Sequence, residues 1–168
     1  MRRTDIHALL GEHPFFAPLE PGDRDLIAGC GTNVVFPAGS VIAREGDAAD
    51  RFYVLRDGRV AIEVHAPGRG PLVVATADAG DVVGWSWLVP PHRWRFDVRA
   101  VTDVHAVALD GACLRAKCDE DPALGYRLLR RFSGVVADRL EATRIRLLDL
   151  YGAPAPGPAP ATPGGARG

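Results

Sequence analysis

Residues 36–100 are a series of short apolar runs broken by glycines at close steps. Gly39, Gly46, Gly58, Gly80 and Gly84 fall between runs, where a tightly rolled sheet must reverse or let two backbones approach. Strands are expected near 34–36, 41–43, 51–55, 59–65, 72–76, 96–100 and 104–109. The alternation is plainest where Val60, Ile62 and Val64 oppose Arg59, Ala61 and Glu63. Many short strands joined by Gly-containing turns argue for a barrel or roll.

Helices are expected on both flanks. Thr4 reads as the cap of a short helix through Leu10, which the run His13-Pro14-Phe15-Phe16-Ala17-Pro18 breaks. A second helix is expected from Asp23 to Cys30, with Leu26 and Ile27 inward, and a third over 112–118. Asp121-Pro122 then supplies an N-cap followed by proline at the first helical position, opening a helix expected to reach Tyr151. Along it Leu129, Ser133, Val136, Leu140, Thr143, Leu147 and Leu150 recur at alternating steps of four and three. That is a heptad seam on a helix of about 45 Å, longer than a small roll can cover. Leu129, Val136, Leu140, Thr143, Leu147 and Leu150 are therefore the expected interface of a homodimer. Six arginines and four acids alternate between Asp121 and Tyr151, a mixed solvated face and not a phosphate-binding stripe. The expected organisation is a roll with its N-terminal helices over 1–120 and a dimerisation helix over 121–151. A disordered Pro/Ala/Gly tail follows over 152–168, with no apolar periodicity to repay its ordering.

The formal net charge of −1 gives no global reason to expect nucleic acid or an anionic membrane as partner. No apolar run approaches the ~18 residues that span a bilayer. No signal-peptide apolar segment follows the basic Met1-Arg2-Arg3, so a cytoplasmic protein is expected. Cys30, Cys113 and Cys118 are odd in number and loosely spaced, which fits free thiols better than a disulfide framework.

Phe36-Pro37-Ala38-Gly39, Glu45-Gly46-Asp47-Ala48-Ala49-Asp50, Phe52-Tyr53-Val54-Leu55 and Asp57-Gly58 resemble the cyclic-nucleotide-binding domain family, and the likeness covers roughly residues 14–150. It implies a mainly β fold with flanking helices: an antiparallel, jelly-roll-like β-roll with short N-terminal helices and a long C-terminal helix. Residues 131–143 are similar to the dimerisation helix of the bacterial catabolite-activator branch. There a Thr at the place of Thr143 touches the purine, although Arg144 follows here where that branch has a small hydroxyl residue. That branch continues into a helix-turn-helix; here the helix leads into the Pro/Gly/Ala tail, so no reading of nucleic acid is expected.

The resemblance also locates a phosphate cassette. In the family a Gly-Glu-apolar-small segment forms a one-turn helix, and an Arg follows after a short loop. Amides at a helix start attract the cyclic phosphate and the guanidinium pairs with it; the Glu takes the ribose 2′-hydroxyl. Aligned without gaps from Gly84 to Ala100, Trp85 takes the Glu position and Trp94 the Arg position. Arg93 and Arg95 flank the Arg position, and on a strand one residue is one face. Gly84, Trp85, Ser86, Trp87, Arg93, Trp94 and Arg95, with Thr143, are the candidate ligand residues. Two readings are open: Trp85, Trp87 and Trp94 fill the vacated pocket, or they stack a planar group beside Arg93 and Arg95. A third reading has a cyclic nucleotide held by Arg95 and the Gly84–Trp87 amides, but cyclic nucleotide is not the expectation, and an unidentified small ligand is the alternative.

Rival chemistry is thinly supplied. A cupin-like metal enzyme, also a β-roll, needs a His-X-His pair with an acid and a third His. His7, His13, His65, His92 and His105 contain no such pair, so no metal is expected. A haem or small-ligand sensor through Cys30, Cys113 or a histidine is the other alternative. Cys113 and Cys118 lack Cys-x-x-Cys spacing, and no Gly-x-Ser-x-Gly or phosphate-binding loop occurs. The expected function is a non-catalytic regulatory or accessory module, without a cofactor, acting on a partner protein.

Overall fold

The computed structural model describes residues 3–152; the expected tail beyond Gly152 lies outside them. The elements in order are α1 (Arg3–Glu12), α2 (Pro21–Ala28), β1 (Gly31–Phe36), β2 (Val41–Ala43), β3 (Arg51–Asp57) and β4 (Arg59–Ala66). They continue with β5 (Gly70–Asp78), β6 (Val82–Val83), β7 (Asp97–Ala100), β8 (Val104–Asp110), α3 (Gly111–Glu120) and α4 (Pro122–Gly152). The strands form two antiparallel sheets of four, ordered β1-β8-β3-β6 and β2-β7-β4-β5. This is the expected β-roll with flanking helices.

The central strands of the first sheet explain the two cores. Along β3, Tyr53 and Leu55 point into the roll, where they meet Val60, Trp94, Val98, Val104 and Ala106. Phe52 and Val54 point the other way, against Leu10, Phe16, Ile27, Leu114, Leu128 and Phe132 of the helical layer. A strand buried on both faces loses its polar alternation and reads as a continuous apolar run. Gly58, at φ 88°, closes the β3–β4 turn; a Cβ there would collide with the Asp103 carbonyl.

The helix α4 is joined to this body by arginines. Arg127 makes a two-pronged pair with the buried Asp23 at 2.6 and 2.7 Å. Arg131 donates to the Phe15 and Pro14 carbonyls, Arg139 to that of Val82, and Arg146 to that of Val74. At ~100° per residue these four lie on one side of α4, beside the buried Leu124, Leu128 and Phe132. The Asp121 carboxylate caps the helix, accepting from Ala123 and Leu124 N–H at 3.1 and 3.2 Å.

Four expectations are corrected. Thr4 falls inside α1, which begins at Arg3. On α2, which runs Pro21–Ala28, Ile27 is buried but Leu26 faces solvent. Residue 96 precedes β7, which begins at Asp97. Cys30 and Cys113 are not free thiols: they are joined by a disulfide, with Cα atoms 5.8 Å apart. The register of β1 on β8 sets Gly31 opposite Leu109, which brings the residue before β1 against the first turn of α3. Sequence spacing carries no trace of that pairing, since 83 positions separate the two cysteines.

Candidate functional site

The cassette lies between β6 and β7. Gly84 leaves β6 at φ 95°, the left-handed region that favours glycine. The next residues make a turn closed by Leu88 N–H on the Trp85 carbonyl at 3.1 Å, in place of the expected one-turn helix. The loop then passes through a cis Pro90–Pro91 bond and His92 at φ 55°. Cross-links hold its far side: Ala49 N–H donates to His92 O, Trp94 N–H to Asp47 O, and Gly46 N–H to Trp94 O. The Gly46 turn therefore fixes the backbone from which the Trp94 side chain departs.

The three tryptophans do not converge. Trp94 alone enters the roll, where it is 5 % exposed, stacks on Tyr53 at 6.2 Å and meets Phe96 edge-on at 5.9 Å. Its ring lies across Gly84 so closely that a Cβ on that glycine would stand 2.5 Å from Trp94 Cη2. Trp87 turns outward into the helical core, fully buried between Phe52 at 4.9 Å and Phe132 at 5.4 Å. Trp85 stays half-buried at the surface with the Arg95 guanidinium 5.4 Å above its ring. Placing all three in the vacated pocket missed this: Trp85 and Trp87 leave one turn in different directions, and Trp94 enters the roll from beyond the loop that follows.

The arginines lie outside the roll. Arg93 is exposed and donates to the Gly46 carbonyl at 2.8 Å; Arg95 is exposed beside Trp85. Ser86 is buried, and its hydroxyl, like the Trp87 indole N–H, has no hydrogen-bond partner. Thr143 is exposed on α4 and donates to the Arg139 carbonyl of its own helix at 2.9 Å. The structure thus brings Gly84 and Trp94 together and leaves Arg93, Arg95 and Thr143 apart from them. Leu129, Val136, Leu140, Leu147 and Leu150, the residues expected to form a dimer seam, are all exposed, with Leu150 at 76 %.

Two depressions lie away from the cassette. One, of about 570 Å³, is bordered by His7, Asp25, Leu26, Gly29 and Lys117. The other, of about 490 Å³, is bordered by Glu12, His13, Arg56, Asp57 and His105. His13 is buried, accepts from Phe15 N–H at 3.2 Å, and burial lowers its pKa from the usual imidazole range. His65 belongs to the other sheet, where it pairs with Asp97 at 3.4 Å. It is therefore not partnered with His105, as a two-histidine site would need.

The sequence profile of the cyclic nucleotide-binding domain matches residues 33–121. Among curated relatives, the chain is 31% identical over 124 residues to a CRP-like cAMP-activated global transcriptional regulator of Mycobacterium tuberculosis (strain CDC 1551 / Oshkosh), covering 74% of this chain and 54% of that protein. It is 39% identical over 109 residues to the cAMP-dependent protein kinase regulatory subunit of Schizosaccharomyces pombe, covering 65% of this chain and 26% of the subunit. The chain therefore spans about half the length, or less, of these relatives. Among solved structures, the N-terminal domain of a transcriptional regulator from Streptomyces coelicolor A3(2) superposes with a TM-score of 0.62 at 26% identity, covering 83% of this chain and 95% of that one. A cyclic nucleotide-binding domain from Methylobacillus flagellatus gives 0.74 at 18% identity, a likeness of fold alone, covering 88% and 83%.

Proposed function

The chain belongs to the cyclic-nucleotide-binding domain family, and from that membership we propose a non-catalytic regulatory module that is not a standard binder of cAMP or cGMP. In this reading it works in the cytoplasm as a homodimer, takes no cofactor and acts on a partner protein. The regulatory role is in keeping with its curated relatives, a cAMP-activated transcriptional regulator and kinase regulatory subunits.

The observation that carries the ligand reading is the Trp94 ring packed across Gly84 inside the roll. A cyclic phosphate needs exposed amides and an inward guanidinium; at this place the chain has an indole, with Arg93 and Arg95 outside. Loss of the Glu and Arg partners removes two charge-assisted interactions of ~1.5–3 kcal/mol each. Affinity for cAMP or cGMP is then expected to be weaker than roughly 100 μM.

The dimer reading is supported by the side of α4 left over once its arginines are engaged. Leu129, Leu140 and Leu147 are 52, 62 and 48% exposed, and a second copy of the same seam is the complement that a heptad pattern fits. Calorimetric titration of cAMP into the wild-type chain and into Trp85→Glu/Trp94→Arg tests the ligand reading. The expected result is no micromolar binding by the wild type and a gain of tenfold or more in the variant. Micromolar binding by the wild type overturns it.

A further inference from the structure

The cysteine pair lies where the N-terminal helices meet the base of the α3–α4 arm. Cys30 links α2 to β1, Cys113 sits in the first turn of α3, and Asp110 N–H donates to the Cys30 carbonyl at 2.9 Å. The bond therefore staples the start of α3 to the α2–β1 joint. Lys117 lies one turn further along α3. Its ammonium donates to the Leu26 carbonyl at 2.6 Å and would stand 3.1 Å from a Cβ on Gly29, the residue before Cys30. A nearby cation and the N-terminal end of a helix both favour thiolate over thiol. The Asp110 carboxylate, which caps Cys113 N–H at 2.8 Å, opposes them. The ammonium lies on the α2–β1 side of the bond, at Leu26 and Gly29, and the helix start lies at Cys113.

Access is unequal. Cys30 is buried and Cys113 is half-buried, so an incoming group meets the Cys113 sulfur first. The depression of about 570 Å³ bordered by His7, Asp25, Leu26, Gly29 and Lys117 opens beside the joint. It borders the Cys30 side of the joint, with His7 paired to Asp25 and the Lys117 ammonium on the Leu26 carbonyl, and its rim does not include either cysteine. The third cysteine is a bystander: burial first, then Asp119 and Asp121, push the Cys118 thiol up, which keeps it protonated and unreactive.

We propose that Cys30–Cys113 is a reversible thiol–disulfide switch, exchanging with a low-molecular-weight peptide thiol of the glutathione class, that ties or frees the base of the α3–α4 arm. In reduction, one external thiolate attacks Cys113 Sγ; the sulfur–sulfur bond breaks and Cys30 leaves as thiolate. A second external thiolate attacks the mixed disulfide at the external sulfur, forming the small disulfide and releasing Cys113 thiolate. Both protein thiolates take protons from solvent. Two protein sulfurs are reduced and two external thiols oxidised, and the reverse sequence restores the staple.

The full chain, equilibrated with reduced and oxidised glutathione at a series of ratios, is quenched in acid, unfolded and alkylated, and its labels are counted by intact mass. Expected are three labels at the reducing end, one at the oxidising end, and the same midpoint approached from either side. Hydrogen exchange at Gly111–Glu120 and Pro21–Ala28 rises in the reduced form, while that of β4 and β5 does not. Cys113→Ser reproduces the reduced pattern in oxidising buffer; the Cys30→Ala/Cys113→Ala pair serves if the single change impairs folding. One label at every ratio, three at every ratio, or equal exchange in the two forms overturns the proposal.

Discussion

Replacing Trp94 by Ala asks whether the roll is filled. The indole is 5 % exposed and lies against Tyr53, Phe96 and Gly84. Burying an aromatic side chain removes ~150–250 Å² from water, and at ~25 cal/mol per Å² that is ~4–6 kcal/mol. Compactness of the unfolded chain reduces the figure and the residual cavity adds to it, so a loss of ~3–5 kcal/mol is expected. The backbone bonds of Trp94 to Asp47 and Gly46 survive the change, so the whole effect is packing. For a chain of this size each kcal/mol shifts the melting temperature by ~2–4 °C, which puts Trp94→Ala roughly 6–20 °C below the wild type. Thermal melting followed by circular dichroism reads this directly. Trp85→Ala, which removes a half-buried surface ring, is the control and falls by less than about a third as much. A Trp94→Ala protein that melts within about 2 °C of the wild type refutes the packing argument, because a ring that costs nothing to remove is not filling a core.

Gly84→Ala is expected to cost ~2–4 kcal/mol through its positive φ and its clash with Trp94; the cost shrinks by ~1 kcal/mol or more in a Trp94→Ala background, measured as a double-mutant cycle. Ser86→Ala removes a buried hydroxyl that has no partner, so it leaves the melting temperature unchanged or raises it, by up to ~1 kcal/mol equivalent. Leu140→Asp with Leu147→Asp turns a dimer into a monomer by placing charge on the seam; sedimentation of the wild type as a monomer at tens of micromolar contradicts the dimer. His13 is held neutral by burial, with its pKa below the usual 6.5. The unfolded chain therefore takes a proton at about 6.5 that the native one refuses, and stability falls as pH drops from there toward the lowered native value. His13→Asn flattens that part of the pH–stability curve, and an unchanged slope contradicts the assignment.

The elements that could be read from residues alone were those with a local cause. Asp121-Pro122 caps α4 at the expected place, and the spacing of Leu129, Val136, Leu140 and Leu147 gave its length and its unpartnered side. β4 lies where Val60, Ile62 and Val64 alternate with Arg59, Ala61 and Glu63, but burial does not follow that period: Val60, Ala61, Ile62 and Glu63 are all buried, the last with Arg99 beside it. What stayed hidden depended on three-dimensional layering. Phe52-Tyr53-Val54-Leu55 serves two cores at once, so it carries no period. Trp87 and Trp94 belong to different cores because a turn and a loop separate them, and local spacing does not say which layer each enters. Pairing of Cys30 with Cys113 follows from the register of β1 on β8, a long-range contact that composition cannot encode. The candidate site was marked as a departure, Trp85 and Trp94 standing where the resemblance expects Glu and Arg, while the direction of each ring required the fold.

The central claim is that the Trp94 ring occupies the interior of the roll in place of a cyclic phosphate. The most direct test follows the indole N–H resonance of Trp94, assigned through Trp94→Phe, as cAMP is added to about 20 μM, far below the expected dissociation constant of more than roughly 100 μM. The account predicts a resonance that stays within a small fraction of its full shift; one that moves and saturates in that range would contradict it.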